Sequence, residues 1–156
     1  LAAFGGRRDL MARVAPAGPV YQAGTYAAHP LSVAAGLAML AAIDARPDLY
    51  EALERTGAEL EEGLRAAAAL AAVPVSVQRV GSMWTVFFSP RPVRSWDDAA
   101  TVDRAAHGRF FRAMLARGVL LPPSAFESAF LSAAHDDVAI VRTLEAARAA
   151  FQEIRA

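Results

Sequence analysis

Three groups of residues have types and spacing that suit chemistry. Gly24-Thr25 lies in a glycine-bearing loop, residues 19–30, a few positions before a helix start. Backbone amides and a hydroxyl there suit a phosphate, helped by the positive end of the helix dipole. The same pair also serves ordinary turns and caps, which is its simpler use when taken alone. The second group is Pro122-Pro123-Ser124-Ala125-Phe126-Glu127. Two prolines remove two backbone donors and stiffen the chain, and a carboxylate follows. A rigid loop can aim one acid at a site, and it can equally end on a polar tip; the local residues allow both. The third group is His29, His107 and His135, which do not fall at metal-ligand spacing. His107 beside Arg109 suggests a solvated helix face, and His29 and His135 stand beside helix starts, where capping is the ordinary role. No metal is assigned. There is no serine–histidine pair and no Walker-type loop. All 16 basic residues are arginine, so no side-chain amine is present to form a Schiff base.

These residues need elements to position them. A short helix is expected around Arg7 to Val14, ended by Pro16 and Gly18. Pro30 suits a first helical position. Residues 31–44 are apolar almost all round, which predicts a helix buried on most faces. A second helix is expected over about 48–71, with Leu49, Leu53, Leu60 and Leu64 on one face. Glu51–Arg55 and Glu61–Arg65 would pair on its wet side. Val73, Val75 and Val77 alternate as a strand, and Gly81-Ser82 turns into Met83–Phe88, apolar on both sides and so central. Trp84, Phe87 and Phe88 read as core. Asp97 is expected to cap a helix carrying Phe110, Phe111, Met114 and Leu115 and stopped at Gly118. Residues 119–121 and 130–132 suggest short strands. Asp136 or Asp137 caps a last helix striped by Ile140, Leu144, Ala147, Phe151 and Ile154. That order predicts an α+β domain with helices on one face of a small, mostly antiparallel sheet. The composition shift at Arg46-Pro47 is the expected domain boundary, with 47–156 folding and the earlier segment loosely held.

The bulk properties narrow the partners. The chain has 156 residues, is 55% hydrophobic and carries zero net charge, so it has apolar residues enough for a core. Neither nucleic acid nor an anionic membrane is an expected partner, because both select clustered positive charge. No apolar run is long enough to span a bilayer, and no charged n-region opens a signal peptide. Cysteine is absent, which excludes disulfides and is compatible with the cytoplasm.

The same segments resemble a known family. Ala3-Phe4-Gly5-Gly6-Arg7-Arg8, Gly18 to Thr25, and Pro30-Leu31 with Ala34-Ala35-Gly36-Leu37 look like the class III pyridoxal-phosphate aminotransferases. Gly81-Ser82-Met83 and Leu121 to Glu127 with Phe130-Leu131-Ser132 narrow the likeness to the glutamate-1-semialdehyde aminomutases within it. The resemblance implies the tail of a fold type I large domain over 1–46 and the C-terminal small domain over 47–156. It implies a homodimer with active sites at the subunit interface, in the cytoplasm. Its cofactor would be pyridoxal 5'-phosphate, alternating with pyridoxamine 5'-phosphate. The reaction would be an isomerisation, glutamate-1-semialdehyde to 5-aminolevulinate by internal amino transfer, feeding tetrapyrrole and porphyrin biosynthesis. Thr25 matches the threonine that holds the cofactor phosphate, reaching across from the neighbouring subunit, Gly24 the residue whose backbone helps, and Glu127 a glutamate near the substrate end of the site. Ala27-Ala28-His29 departs from the usual Ser-Gly-Asn. The Schiff-base lysine is expected a few residues upstream of Ala3, so the chain by itself is expected to be inactive. An ordinary ω-aminotransferase of the same family, and a non-catalytic interaction domain, are the competing expectations.

Overall fold

The long helix Leu49–Leu70 and the hairpin of strands Ser76–Val80 and Met83–Phe87 set the frame on which the rest is built. The computed structural model describes residues 2–155. It separates into two compact units, Leu1–Pro47 and Asp48–Ala156.

The first unit holds α1 (Arg8–Met11) and α2 (Pro30–Asp44), with Pro30 opening the second helix. No residue of α2 is buried: Leu31, Leu37, Met39 and Leu40 are 56 to 76% exposed. This corrects the expectation of a helix covered on most faces. An apolar surface all round states that cover is wanted, but it does not supply the cover.

The second unit contains the whole buried core cluster. Helix α3 (Leu49–Leu70) turns Gly57, Leu60, Leu64, Ala67 and Ala68 inward. Glu61 pairs with Arg65 at 2.6 Å on this helix. The expected Glu51–Arg55 pair is not among the ion pairs of the described residues. The helix ends at Ala72, at φ 54°, where the Val73 N–H donates to the Ala68 carbonyl. That exit keeps residues 73–75 out of the sheet, so β1 begins later than the valine alternation predicts, at Ser76–Val80. Gly81, at φ 58°, supplies the left-handed turn that a two-residue hairpin needs, and β2 (Met83–Phe87) pairs back antiparallel with Val80 opposite Met83. A two-residue β3 (Ala129–Phe130) adds on the other side, leaving β2 central as expected.

The expected single helix from Asp97 is two. Ser95, not Asp97, caps α4 (Trp96–Ala100) by accepting from the Asp98 amide. Asp103 caps α5 (Arg104–Ala116) by accepting from the Ala106 amide. The break is fixed by tertiary contact, since the Asp103 N–H donates to the Phe88 carbonyl at the end of the hairpin. Residues 119–121 are not a strand. The Val119 N–H is held by the Met114 carbonyl, and two prolines then remove the next donors. Asp136 caps α6 (Asp137–Ile154), whose predicted stripe is buried throughout. Helix α6 packs against α3 and α5, while α3 packs against β1 and β2.

Gly57 marks the closest approach of α3 to the hairpin. A Cβ there would stand 2.6 Å from the Gly81 carbonyl oxygen and 3.0 Å from Arg79 Cδ. Alanine normally gains about 1 kcal/mol over glycine inside a helix. Here the clash with backbone should reverse the sign, so Gly57→Ala should lose about 1–2 kcal/mol. A urea titration of the chain checks this; a stabilised variant would show that the helix and hairpin are further apart.

Candidate functional site

Gly24 and Thr25 lie in a turn of the first unit. The Ala27 N–H donates to the Gly24 carbonyl at 2.9 Å, and the His29 N–H to the Tyr26 carbonyl at 3.1 Å. Between them Ala28 takes φ 55°, so the loop is tightly curled before Pro30. Gly24 and Thr25 are exposed. The Thr25 hydroxyl and the amides of Gly24 and Thr25 have no hydrogen-bond partner among the described residues. Nothing lies within 4 Å of a Cβ added at Gly24, so no packing in the loop explains the glycine. Beside it is an open concavity of about 760 Å³, lined by Phe4, Gln22, Gly24, Tyr26 and His29 among others. Donors without acceptors beside a roomy concavity fit a phosphate group.

His29 does not cap α2 through its side chain. Its Nδ1 lies 3.4 Å from Ser32 Oγ, and its ring tilts against Tyr26 at 5.5 Å. His135 likewise does not cap α6. Its Nδ1 accepts from the Ser132 N–H at 3.0 Å, bracing the turn after β3. Both corrections have one cause: a ring next to a helix start takes the nearest donor or aromatic, and a carboxylate such as Asp136 is the better cap.

Glu127 belongs to the second unit. The segment 122–127 leaves the C-terminal end of α5 and enters β3. Its interior is tied by the Phe126 N–H to Ser124 Oγ at 3.2 Å and by the Glu127 N–H to the Ser124 carbonyl at 3.3 Å. Ala125 is buried and Glu127 exposed, with no ion pair to Glu127 among the described residues. Next along the chain, Thr85 Oγ1 donates to Ser128 Oγ at 3.2 Å, which fastens the segment to β2. Phe126 packs against Trp96 at 5.2 Å, with the Arg104 guanidinium 5.7 Å from its ring centre. The sequence held no sign of that cluster, because its members are 8 to 30 positions apart.

His107 is the residue that local reading misjudged. It is half-buried, not solvated, with its ring edge-on to Phe88 at 6.3 Å. Desolvation holds its pKa below the usual histidine value, while the nearby Pro122 and Pro123 carbonyls weakly favour the charged ring. Neither ring nitrogen completes a hydrogen bond with the described residues. The signal was present in the helical spacing 107, 110, 114, which puts His107 on the stripe of Phe110 and Met114. Arg109, its sequence neighbour, faces solvent.

Among the described residues no three His, Cys, Asp or Glu side chains gather to hold a metal, and no helix is long and apolar enough to cross a membrane.

Comparison with known proteins adds an independent line. The family model "Aminotransferase class-III" matches residues 1–134. The glutamate-1-semialdehyde 2,1-aminomutase of Sorangium cellulosum (strain So ce56) is 58% identical over 150 residues, covering 96% of this chain and 34% of that protein. Among solved structures, an omega-transaminase from Sphaerobacter thermophilus superposes with a TM-score of 0.81 at 26% identity, over 97% of this chain and 35% of its own. The FumI protein of Sphingopyxis sp. MTA144, in a PLP form, does so at 0.56 and 28% identity, over 72% of this chain and 24% of its own. The chain thus spans about a third of the curated relative, 34% of its length.

Proposed function

Because the chain belongs to the class III aminotransferase family, we propose that it is the C-terminal portion of a pyridoxal-phosphate enzyme converting glutamate-1-semialdehyde to 5-aminolevulinate. The observation that carries this reading is the 58% identity to an aminomutase across nearly the whole chain, segment 122–127 included. The full-length protein would be an isomerase supplying tetrapyrrole and porphyrin synthesis. We read residues 1–46 as the end of its large domain and 47–156 as its small domain. We further read the protein as a cytoplasmic homodimer with the active site at the subunit interface.

In this reading Thr25 Oγ1 and the amides of Gly24 and Thr25 hold the cofactor phosphate. Their free donors and the bare Cα of Gly24 let a phosphate oxygen approach the backbone closely. When bound, pyridoxal phosphate supplies the electron sink and the exchangeable amine. The chain's own share is orientation. Thr25 anchors the phosphate end of the site of the neighbouring subunit, and Glu127, on a segment stiffened by two prolines, faces the substrate end of its own, where its charge orients the substrate ammonium group or repels a misplaced carboxylate.

Two substitutions in the full-length protein test this together. Thr25→Val should weaken cofactor binding by roughly tenfold, the loss of one hydrogen bond to a charged group, read by cofactor titration. Glu127→Gln should leave cofactor affinity unchanged and lower turnover of the semialdehyde by roughly tenfold, one lost charge-assisted contact. The assay contains no amino donor. A parent protein that turns over only when a donor is added is an ordinary ω-aminotransferase, and the proposal is then wrong.

A further inference from the structure

Among the described residues, three buried side-chain nitrogens have no hydrogen-bond partner: Trp84 Nε1 and both ring nitrogens of His107. They come from different elements, β2 and α5. Both residues line one small cavity of about 20 Å³, whose other walls include Thr85, Pro122, Glu127 and Ala129. A cavity holds a water once it offers about 10–15 Å³ to a water-sized probe and at least two polar partners. This one passes on size and is too small for any organic ligand. Its polar groups match as well. Trp84 Nε1 is a donor only, and a neutral imidazole carries one donor and one acceptor. Desolvation keeps His107 toward that neutral form. A water of that size has the groups it needs, accepting from Trp84 Nε1 and completing a hydrogen bond with one His107 ring nitrogen. Leaving such nitrogens buried and unpaired is costly, and a bridging water removes the cost for two of the three, Trp84 Nε1 and one His107 nitrogen, for a small loss of its own freedom.

The placement matters because of what else meets there. Pro122, at the root of the segment, and Glu127, at its tip, share the cavity wall with His107. A joint at this point ties β2 to α5 directly beside both ends of the segment, which pack along the same wall. We infer that the cavity binds one ordered water joining Trp84 to His107, and that His107 is thereby a positioning residue for segment 122–127. Its effect on turnover rests on the role given to Glu127 above; the tests below do not use turnover.

A crystal structure of the full-length protein should show density about 3 Å from Trp84 Nε1 and from one His107 ring nitrogen. Ordered side chains with no density between them overturn the water. Hydrogen exchange of the same protein reads the positioning. His107→Phe and Trp84→Phe each keep a ring and delete the nitrogens. Each should speed exchange of the amides at 124–128 by about fivefold, the factor that goes with one net hydrogen bond, while α6 stays as protected as before. His107→Gln, which restores a polar partner, should return exchange close to the parent rate. Unchanged exchange in both phenylalanine variants overturns the positioning role. Should His107→Phe loosen the whole fold, Trp84→Phe and the density decide. A parent protein inactive on the semialdehyde would refute the proposed reaction and leave these readouts standing.

Discussion

Phe151→Ala should destabilise the chain by about 3–5 kcal/mol, the usual cost of emptying a buried phenylalanine site. Phe151 has no exposed surface. It stacks on Phe110 with ring centres 4.5 Å apart and planes 25° apart, and meets Phe88 at 6.3 Å. Three elements converge on this one ring: α6 carries it, α5 brings Phe110, and the end of the hairpin brings Phe88. Neither the stacked ring nor the tilted one can follow an alanine inward, since each is fixed by its own backbone, so the cavity stays open. That loss is a large part of the total stability of an ordinary domain, about 5–15 kcal/mol. The midpoint of thermal unfolding should fall by at least about 10 °C. Leu120→Ala is the control, because Leu120 is 76% exposed and should change little. If the two variants melt together, the three-ring contact does not carry the core.

Arg79→Met should cost about 2–3 kcal/mol, although it trades a charge for a hydrophobic side chain of similar length. The Arg79 side chain is only 10% exposed. Its Nη1 and Nη2 donate to Glu54 at 2.9 and 2.7 Å, its Nε donates to Glu61 at 3.0 Å, and Nη1 also donates to the Gly81 carbonyl at 2.8 Å. Glu54 raises the guanidinium pKa most and burial opposes it, with Glu61 adding to the rise. Methionine leaves the shielded Glu61 carboxylate with Arg65 alone and strips the Gly81 carbonyl of its side-chain donor. Those losses sit where α3 meets the hairpin, at the same contact that Gly57 makes possible. Glu54 is exposed, so its share should fade with added salt, whereas the Glu61 and Gly81 share should not. Arg79→Lys should recover little, because an ammonium cannot serve both carboxylates and the carbonyl in one plane. Urea titrations at low and high salt read both claims. A loss that vanishes entirely at high salt would show that only the exposed pair counts.

Much of the candidate site was legible along the chain. Gly24-Thr25 before Pro30 could be singled out as a loop suited to a phosphate, the role proposed above, because amides, a hydroxyl and a helix start are all local features. Segment 122–127 stood out because two prolines fix a backbone without help from anything distant. His107 was misread for the opposite reason. Its neighbour Arg109 suggested solvent, and only the arrival of Phe88 and of the Pro122 segment shields its ring from water. The Trp96, Arg104 and Phe126 cluster was invisible for the same cause, as its members meet only after the hairpin and α5 have docked.

By itself the sequence determined the periodic helices α3 and α6, the hairpin at Gly81, the stop at Gly118 and the two loops that carry Thr25 and Glu127. Each follows from contacts within a few residues: apolar spacing, a carboxylate cap, a glycine where φ is positive, a proline without a donor. Helix-end hydrogen bonds reaching back five residues decided where two expected strand segments failed, and tertiary structure alone decided where the run 96–116 breaks. Residues 73–75 had strand spacing and were taken by the exit of α3. Residues 119–121 were apolar enough for a strand and were tied to the end of α5. The run from 96 to 116 had one helical pattern and was split by the bond from Asp103 to Phe88. In each case one backbone hydrogen bond to a partner outside the strand or helix outweighed a propensity of a few tenths of a kcal/mol per residue.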